Sequence, residues 1–194
     1  MATKGKGSFG YLKKQAVKNG LFAFGNVLIC ALIFLIGYFL VEKSSTIFTV
    51  VSVLGMLPAA KFIVSMILFM RAEKFSCPKQ VYDRLVLCAG DKKDEILCGF
   101  DFYLTSYEKN YPLCAALVKK DSFIAYSDVQ KLNEQDAKKH LESYMKKNGV
   151  TGITVKIYKD LNKFCERFEQ LCLDDDSVTD NEKAMFALLL ELSI

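Results

Sequence analysis

The chain lacks charge over two long stretches near its start. Residues 21–41 contain no charged residue, and within residues 46–70 the one charge is Lys61. About 20 apolar residues, each rising 1.5 Å along a helix, are enough to cross the ~30 Å hydrocarbon core of a bilayer. The sequence therefore predicts two membrane-spanning helices, at 21–41 and 46–70, joined as a hairpin.

Acidic residues are also absent from the first 20 positions. That segment has five basic residues, Lys4, Lys6, Lys13, Lys14 and Lys18. The short segment between the two apolar stretches has one lysine, and three basic residues follow the second stretch within ten positions, Arg71, Lys74 and Lys79. The positive-inside rule then predicts a multi-pass protein of the cell membrane with both termini in the cytoplasm. We expect the five lysines to lie against anionic lipid headgroups.

A cleaved signal peptide is the alternative for the first apolar stretch. The stretch is longer than the apolar core of a signal peptide, and residues 37–41 lack the small-x-small pattern of a cleavage site. We therefore divide the chain into a basic cytoplasmic segment (1–20), the hairpin (21–70) and a cytoplasmic domain (71–194).

The cytoplasmic domain lacks a basic excess. Residues 71–194 contain 19 Lys and Arg against 21 Asp and Glu, a net charge of −2, although the whole chain is +4. A nucleic-acid-binding domain needs a concentrated basic surface. Nucleic acid is therefore not an expected partner.

No two of the seven cysteines have the CxxC spacing of a metal or redox motif. In the cytoplasm such cysteines are reduced and mostly buried. We expect no cofactor and no metal, and the alternative is a zinc site that uses the single histidine, His140, with two cysteines.

Turn signals and hydrophobic periodicity divide residues 71–194 into eight elements. Three strands should form an antiparallel meander, with a tight turn at 119–121. The last helix opens with a Thr-Asp-Asn-Glu capping box and is apolar on every side, which predicts packing on the domain's own sheet, or else on a partner or the membrane surface. The predicted elements are a helix at 76–89, strands at 96–104, 111–118 and 122–126, a helix at 134–148, a strand at 153–158, a helix that begins after Asp160 and a helix at 180–192.

This α-β-β-β-α-β-α-α order, an α/β (α+β) domain, resembles the core of the restriction-endonuclease-like fold and its nuclease-related membrane domains. The resemblance implies a carboxylate on the second core strand and a Glu-x-Lys on the third, which together hold a divalent metal that activates water. Here the second predicted strand has no acidic residue, and the third has neither Glu nor Lys. Asp101, on the first strand, is the one carboxylate inside a predicted strand and the remaining catalytic candidate.

The whole chain resembles an uncharacterised family of two-span membrane proteins from anaerobic Gram-positive bacteria. The resemblance rests on the lysine-rich start, on the second apolar stretch with its Leu-Pro-Ala-Ala-Lys sequence, and on the segments at 102–112 and 155–163. It implies a membrane location and no particular activity.

Two polar residues inside the apolar stretches are further candidates. A lysine in the membrane is costly, so Lys61 either snorkels to the interface or lies at a helix–helix or oligomer interface with Asn26 as its polar partner. Ser52, Gly55 and Ala59 form a stripe of small residues suited to packing on the first span or on a second copy.

The predicted domain also contains three less specific features. The loop at 107–112 concentrates polar and aromatic residues and is either a ligand-binding loop or a plain strand connection. His140 lies on a predicted surface helix, one turn after Asp136, and no serine or cysteine nucleophile is arranged around it in sequence, which favours a solvated, pairing side chain over a catalytic one. The acidic run at 174–176 lacks the ligand spacing of a calcium loop and is interpreted as a linker.

Three functions remain from these observations. The first is a membrane-anchored, non-enzymatic module that binds a protein or small ligand. The second is a metal-dependent nuclease whose site combines Asp101 with Glu73 or Asp83. The third is an oligomeric membrane assembly that uses Lys61 and Asn26.

Overall fold

A computed structural model of the chain describes residues 5–41, 47–90, 96–106, 109–173 and 177–194. It divides into two compact units. One unit is Leu12–Glu73, and the other combines Met1–Tyr11 with Lys74–Ile194. Lys4, residues 107 and 108, and the acidic run at 174–176 lie outside the described residues.

The first unit contains α1 (Tyr11–Val41), apart from its first residue, and α2 (Ile47–Glu73). Both helices are long and apolar enough to cross a membrane, and only 17% and 11% of their most apolar segments is buried. The helix α1 begins well before the uncharged stretch, at Tyr11, because lysine and glutamine are good helix formers and a helix does not need apolar residues to continue. The helix α2 continues through Pro58.

Small residues line the contact between the two helices. Ser52 and Ala59 on α2 are buried. A Cβ atom added to Gly55 would lie 2.9 Å from the Cys30 sulfur, and one added to Gly37 would overlap Phe48. Small residues let helix backbones approach closely. The predicted stripe on α2 therefore packs on the first helix.

The second unit contains a four-stranded mixed sheet with the strand order β1-β2-β3-β4. The first three strands form the predicted antiparallel meander, and β4 joins β3 in parallel through the crossover helix α4. The β2–β3 turn has positive φ angles at Lys120 and Asp121, as a type I′ hairpin requires. The elements are α3 (Lys79–Ala89), β1 (Leu97–Thr105), β2 (Asn110–Lys119), β3 (Ser122–Tyr126), α4 (Glu134–Lys147), β4 (Thr154–Tyr158), α5 (Leu161–Leu173) and α6 (Asp180–Leu192).

Helices cover both faces of the sheet. On one face α4 and α6 bury Leu141, Met185 and Leu189 against the strands. On the other face α3 and α5 bury Leu85, Phe164 and their neighbours. The last helix therefore packs on the domain's own sheet, as the first of its two interpretations predicted. The sequence thus predicted the order and type of the elements, an α+β domain behind two long apolar helices.

One helix start differs from its prediction. We expected a helix from Ser76, but α3 begins at Lys79, and Pro78 lies before it with an extended backbone (φ −61°, ψ 141°). The residue before a proline disfavours the helical region, so Cys77 cannot be a helical residue without strain. The segment before α3 instead reaches the first strand, as described below.

The outer edge of β1 is covered by the two ends of the chain. The Phe100 N–H donates to the Gly7 carbonyl at 2.8 Å, and the Ile194 N–H donates to the Tyr103 carbonyl at 3.3 Å. The Tyr103 N–H donates to Ser193 Oγ at 3.0 Å. These contacts satisfy edge groups that would otherwise be open to another strand.

Candidate functional site

Asp101 has a left-handed backbone in the middle of β1. Its φ is +56°, and its side chain is buried. The flanking pairs, Phe100 with Ala115 and Phe102 with Leu113, keep the regular register on both sides. Aspartate tolerates a positive φ better than most residues. The chain therefore turns the Asp101 carboxylate away from the regular strand positions.

Three donors surround that carboxylate. The Gly10 N–H donates to Oδ2 at 2.6 Å, while Ser76 Oγ and the Cys77 N–H donate to Oδ1 at 2.8 Å and 2.7 Å. Hydrogen bonds to an ionised acceptor are short and strong, as these are. Both oxygens of Asp101 are thus engaged by donors from the protein itself.

The three donors come from the two segments that flank the hairpin in sequence. Gly10 immediately precedes α1, while Ser76 and Cys77 lie shortly after the end of α2. Asp101 therefore ties the incoming and outgoing segments to the first strand. Local sequence signals could not have shown this, because the partners lie 91, 25 and 24 positions away.

The two acids proposed to act with Asp101 lie on two different helices. Asp83 is exposed on α3, and Glu73 is the last residue of α2. Over the ranges that the structure describes, no group of three or more His, Cys, Asp or Glu side chains could hold a metal ion. The immediate neighbours of the carboxylate are donors rather than further acids.

Thiols lie next to this carboxylate. A hydrogen bond with the Cys114 thiol and burial both raise the pKa of Cys77, and the Asp101 charge adds to the increase. The same hydrogen bond lowers the pKa of Cys114, against the effect of burial. All seven cysteines are free, and five of them are buried on the α3/α5 face of the sheet, Cys77, Cys98, Cys114, Cys165 and Cys172.

His140 lies on the opposite face of the sheet from those cysteines. It is on α4, and its ring lies 5.4 Å from the ring of Tyr111, a member of the α4/α6 core. The sheet separates His140 from the cysteine-rich face, so it does not share a site with those thiols. Burial and the nearby Lys147 lower the pKa of His140, which favours its neutral form.

The two polar residues of the hairpin, Asn26 and Lys61, form no hydrogen bond with each other among the described residues. Asn26 Oδ1 accepts a hydrogen bond from Cys30 Sγ at 3.9 Å, within α1. Lys61 is exposed on α2. In the part of the chain that the structure describes, Lys61 has no ion-pair or hydrogen-bond partner.

The predicted membrane-surface lysines differ in their positions. Lys13, Lys14 and Lys18 are exposed on the first turns of α1. The Lys6 ammonium donates to the Ser193 carbonyl at 2.7 Å, so this lysine also holds the chain terminus beside β1. The structural role of Lys6 was not visible from the sequence, because Ser193 lies 187 positions away.

An aromatic–lysine groove lies beside the end of β1. We define it by six of the residues that line a cavity of about 390 Å³, namely Phe75, Tyr103, Lys109, Tyr111, Lys131 and Asn133. The loop at 107–112 supplies Lys109 and Tyr111, so its described residues line a cavity. The predicted meander places Tyr103 beside that loop, and the structure pairs Tyr103 with Pro112. No sequence signal linked Phe75 and Lys131 to the loop, because they belong to other segments.

The groove combines a stacked aromatic pair with two cations. The rings of Phe75 and Tyr103 lie 6.1 Å apart in a stacked arrangement. The Lys109 ammonium donates to Asp136 Oδ2 at 2.8 Å, and this bond lowers the pKa of the Asp136 carboxyl. Such a cavity, with apolar walls and a few polar groups, is typical of ligand sites.

No protein-family model matches this chain, and comparisons with curated proteins and with solved structures found no match.

Proposed function

We propose that the protein is a membrane-anchored, non-catalytic binding module. The hairpin of α1 and α2 spans the cell membrane, both termini lie in the cytoplasm, and the α/β domain presents the aromatic–lysine groove to a ligand or protein partner. Two helices long and apolar enough to span support the anchor. The exposed Lys13, Lys14 and Lys18 support the cytoplasmic orientation of the N-terminus.

The binding role, rather than an enzymatic one, rests on the hydrogen bonds of Asp101. A catalytic carboxylate needs an oxygen that a metal ion, a water or a substrate can reach, and Asp101 is buried. Here both oxygens accept short hydrogen bonds from the segments that flank the hairpin. We therefore propose that Asp101 fastens those segments to the sheet.

The resemblance to the restriction-endonuclease-like fold belongs to this proposal. The α-β-β-β-α-β order, the antiparallel meander and the parallel β3–β4 pair support it. Under this proposal the domain keeps the nuclease-like framework and uses the groove in place of a metal site. Fold alone does not establish an activity.

The test is to measure metal-dependent cleavage by the purified full-length protein. DNA and RNA are incubated with the protein and Mg²⁺ or Mn²⁺, and Asp101→Asn serves as the paired variant because asparagine keeps one acceptor oxygen and tolerates a positive φ. We expect no cleavage above a protein-free control from either protein. Metal-dependent cleavage by the wild type that Asp101→Asn abolishes would overturn the proposal.

An oligomeric membrane assembly is the second candidate, because Lys61 is exposed on an otherwise apolar helix. An intramembrane lysine is costly unless it snorkels or finds a partner, and a second copy would supply one. This candidate predicts oligomers in mild detergent that Lys61→Leu dissociates. Lys13→Leu, at the start of α1, is the matched control and should leave the oligomer intact. A wild-type protein that is monomeric in mild detergent eliminates the candidate.

A further inference from the structure

One residue that lines the aromatic–lysine groove, Phe75, belongs to the segment that follows the hairpin. Phe75 is the second residue after Glu73, the end of α2, and two residues of chain span at most about 7 Å. The ring of Tyr103 stacks on that of Phe75, and the Tyr103 N–H donates a hydrogen bond to Ser193 Oγ. The Ser193 carbonyl in turn accepts a hydrogen bond from the Lys6 ammonium. If α2 spans a bilayer, the chain itself keeps Phe75 close to the membrane surface.

The aromatic side chains of the groove are suited to that position. Phe75 is 39% exposed, and it is one of the few large hydrophobic residues outside α1 and α2 that is exposed among the described residues. Tyr103 and Tyr111 are mostly buried, so their rings form the walls while Phe75 lies at the opening. Aromatic rings concentrate at the headgroup level of membranes, because one side is apolar and the other is hydrated.

The charge of the groove is positive. Lys109 is paired with Asp136, whereas Lys131 has no ion-pair or hydrogen-bond partner within the described ranges. No carboxylate side chain is among the described residues that line the groove. A lysine near a membrane surface attracts anionic headgroups, and ammonium groups bind phosphate as point charges.

We infer that the groove binds the phosphate of an anionic phospholipid headgroup from the membrane that holds the hairpin. Lys131 pairs with the phosphate, and Phe75 packs on the glycerol and upper acyl region. This inference rests on the proposed function, since it requires the hairpin to span a bilayer. It names the ligand of the binding module.

The absence of tryptophan from the chain gives a specific reporter. Phe75→Trp places the protein's one indole at the opening of the groove. The full-length variant is purified in a neutral detergent and titrated with short-chain phosphatidylglycerol or phosphatidylcholine while indole fluorescence is recorded. We expect a saturable change with phosphatidylglycerol and a much weaker one with phosphatidylcholine.

The charge test uses two lysine variants on the Phe75→Trp background. Adding Lys131→Gln should weaken phosphatidylglycerol binding by about fivefold, because one lysine near a membrane surface is worth that factor. Lys163→Gln, which removes the same charge from an exposed position on α5 outside the groove, should leave the affinity unchanged. Equal binding of the two lipids, or equal loss in both lysine variants, would overturn the inference.

Two further measurements separate the alternatives. Inorganic phosphate is added as a competitor, and displacement of phosphatidylglycerol at similar concentrations would identify free phosphate as the ligand and overturn the lipid assignment. Extraction of native membranes with alkaline carbonate shows whether the chain is an integral membrane protein. Release into the supernatant would reject the proposed function, whereas an integral protein without lipid selectivity would reject this inference alone.

Discussion

Phe24 and Phe164 are the same residue type in two contrasting regions. On α1 the Phe24 side chain is 68% exposed, whereas on α5 the Phe164 side chain is fully buried. The contrast extends to the neighbours of each residue, because apolar side chains point outward along α1 and α2 but inward in the α/β domain. Apolar residues that point outward along two whole helices are what a membrane-spanning hairpin requires, so this pattern supports the proposed membrane anchor.

The charged groups of the two regions also differ in their surroundings. Asp101 is buried in the domain and accepts three hydrogen bonds, while Lys61 is exposed on α2 without a partner in the described part of the chain. A buried charge in a water-soluble domain needs internal partners. A long lysine side chain on a membrane helix has another option, since it can extend to the interface. This difference between the two regions is the one that the proposed membrane location of the hairpin predicts.

Removing each phenylalanine should separate the two regions most clearly. Phe164→Ala should destabilise the domain by about 3–5 kcal/mol, because it leaves a cavity in a closely packed core. If the hairpin is a membrane anchor, Phe24→Ala should change stability by less than about 1 kcal/mol, because the apolar chains of the detergent replace the lost contacts. Unfolding can be followed in detergent with a thiol-reactive fluorophore, since most of the cysteines are buried in the domain. Equal destabilisation by the two variants would place Phe24 in a protein interface.

Removing the Asp101 carboxylate should have the next largest effect. Asp101→Ala leaves three donors without their acceptor and should lower the free energy of unfolding by about 2–4 kcal/mol. Asp101→Asn keeps one acceptor oxygen and should cost about half as much. The same thiol-exposure assay measures both losses.

Backbone strain is the confounding factor at this position, since alanine is disfavoured at a φ of +56°. Asp101→Gly removes that strain but also lacks the acceptor. If the hydrogen bonds hold the segments, Asp101→Gly will resemble Asp101→Ala. A glycine variant as stable as the wild type would contradict this role of the carboxylate.

Enlarging a small residue between the two helices should have a smaller effect. Gly55→Ala places a methyl group 2.9 Å from the Cys30 sulfur and should destabilise the hairpin by about 1–3 kcal/mol. Gly25→Ala is the matched control, because nothing lies within 4 Å of its added Cβ. Helix retention in increasing denaturing detergent, measured by circular dichroism, compares the variants.

A second substitution tests the named contact. In a Cys30→Ala background the sulfur is gone, so Gly55→Ala should lose most of its effect, and the two changes should be non-additive. Additive effects would mean that the two helices do not approach at Gly55.

Local patterns predicted most of the fold. The bounds of β3 and α6 agree with their predictions because tight turns and a capping box mark them in the sequence. The helix α4 begins as predicted at Glu134, and Asn133 caps it by accepting from the N–H groups of Gln135 and Asp136. Each of these signals involves only a few neighbouring residues, so it can be recognised in a single sequence.

The candidate sites depend on contacts over long distances in sequence. The tie at Asp101 joins residues near positions 10, 76 and 101, and the groove joins Phe75 to segments near positions 103, 110 and 131. A carboxylate in a strand has the same sequence signature whether it binds a metal or accepts hydrogen bonds. Choosing between these roles therefore required knowing which groups surround the Asp101 carboxylate in space. Hydrophobic periodicity does not give that information.

The smallest expected effect concerns His140 and the pH dependence of domain stability. Burial lowers the pKa of His140, and its Nε2 atom is buried without a hydrogen-bond partner among the described residues. The unfolded chain therefore binds a proton more readily than the folded domain, so stability rises with pH through this window. The contribution of neutral His140 to stability is fully present above the pKa of the unfolded chain, which is about 6.5. It is lost as the pH falls from there toward the lower pKa of the folded domain.

His140→Phe should keep the ring contact with Tyr111 and remove this titration. The stability of the variant relative to the wild type should then be constant above about pH 7.5 and increase as the pH falls toward about 5. Asp136, four residues earlier on the same helix, does not confuse the comparison, because its hydrogen bond from Lys109 lowers its pKa and keeps it ionised over that range. Parallel stability curves for the two proteins would mean that His140 titrates alike in the folded and unfolded chains, and that its buried nitrogen is hydrated in solution.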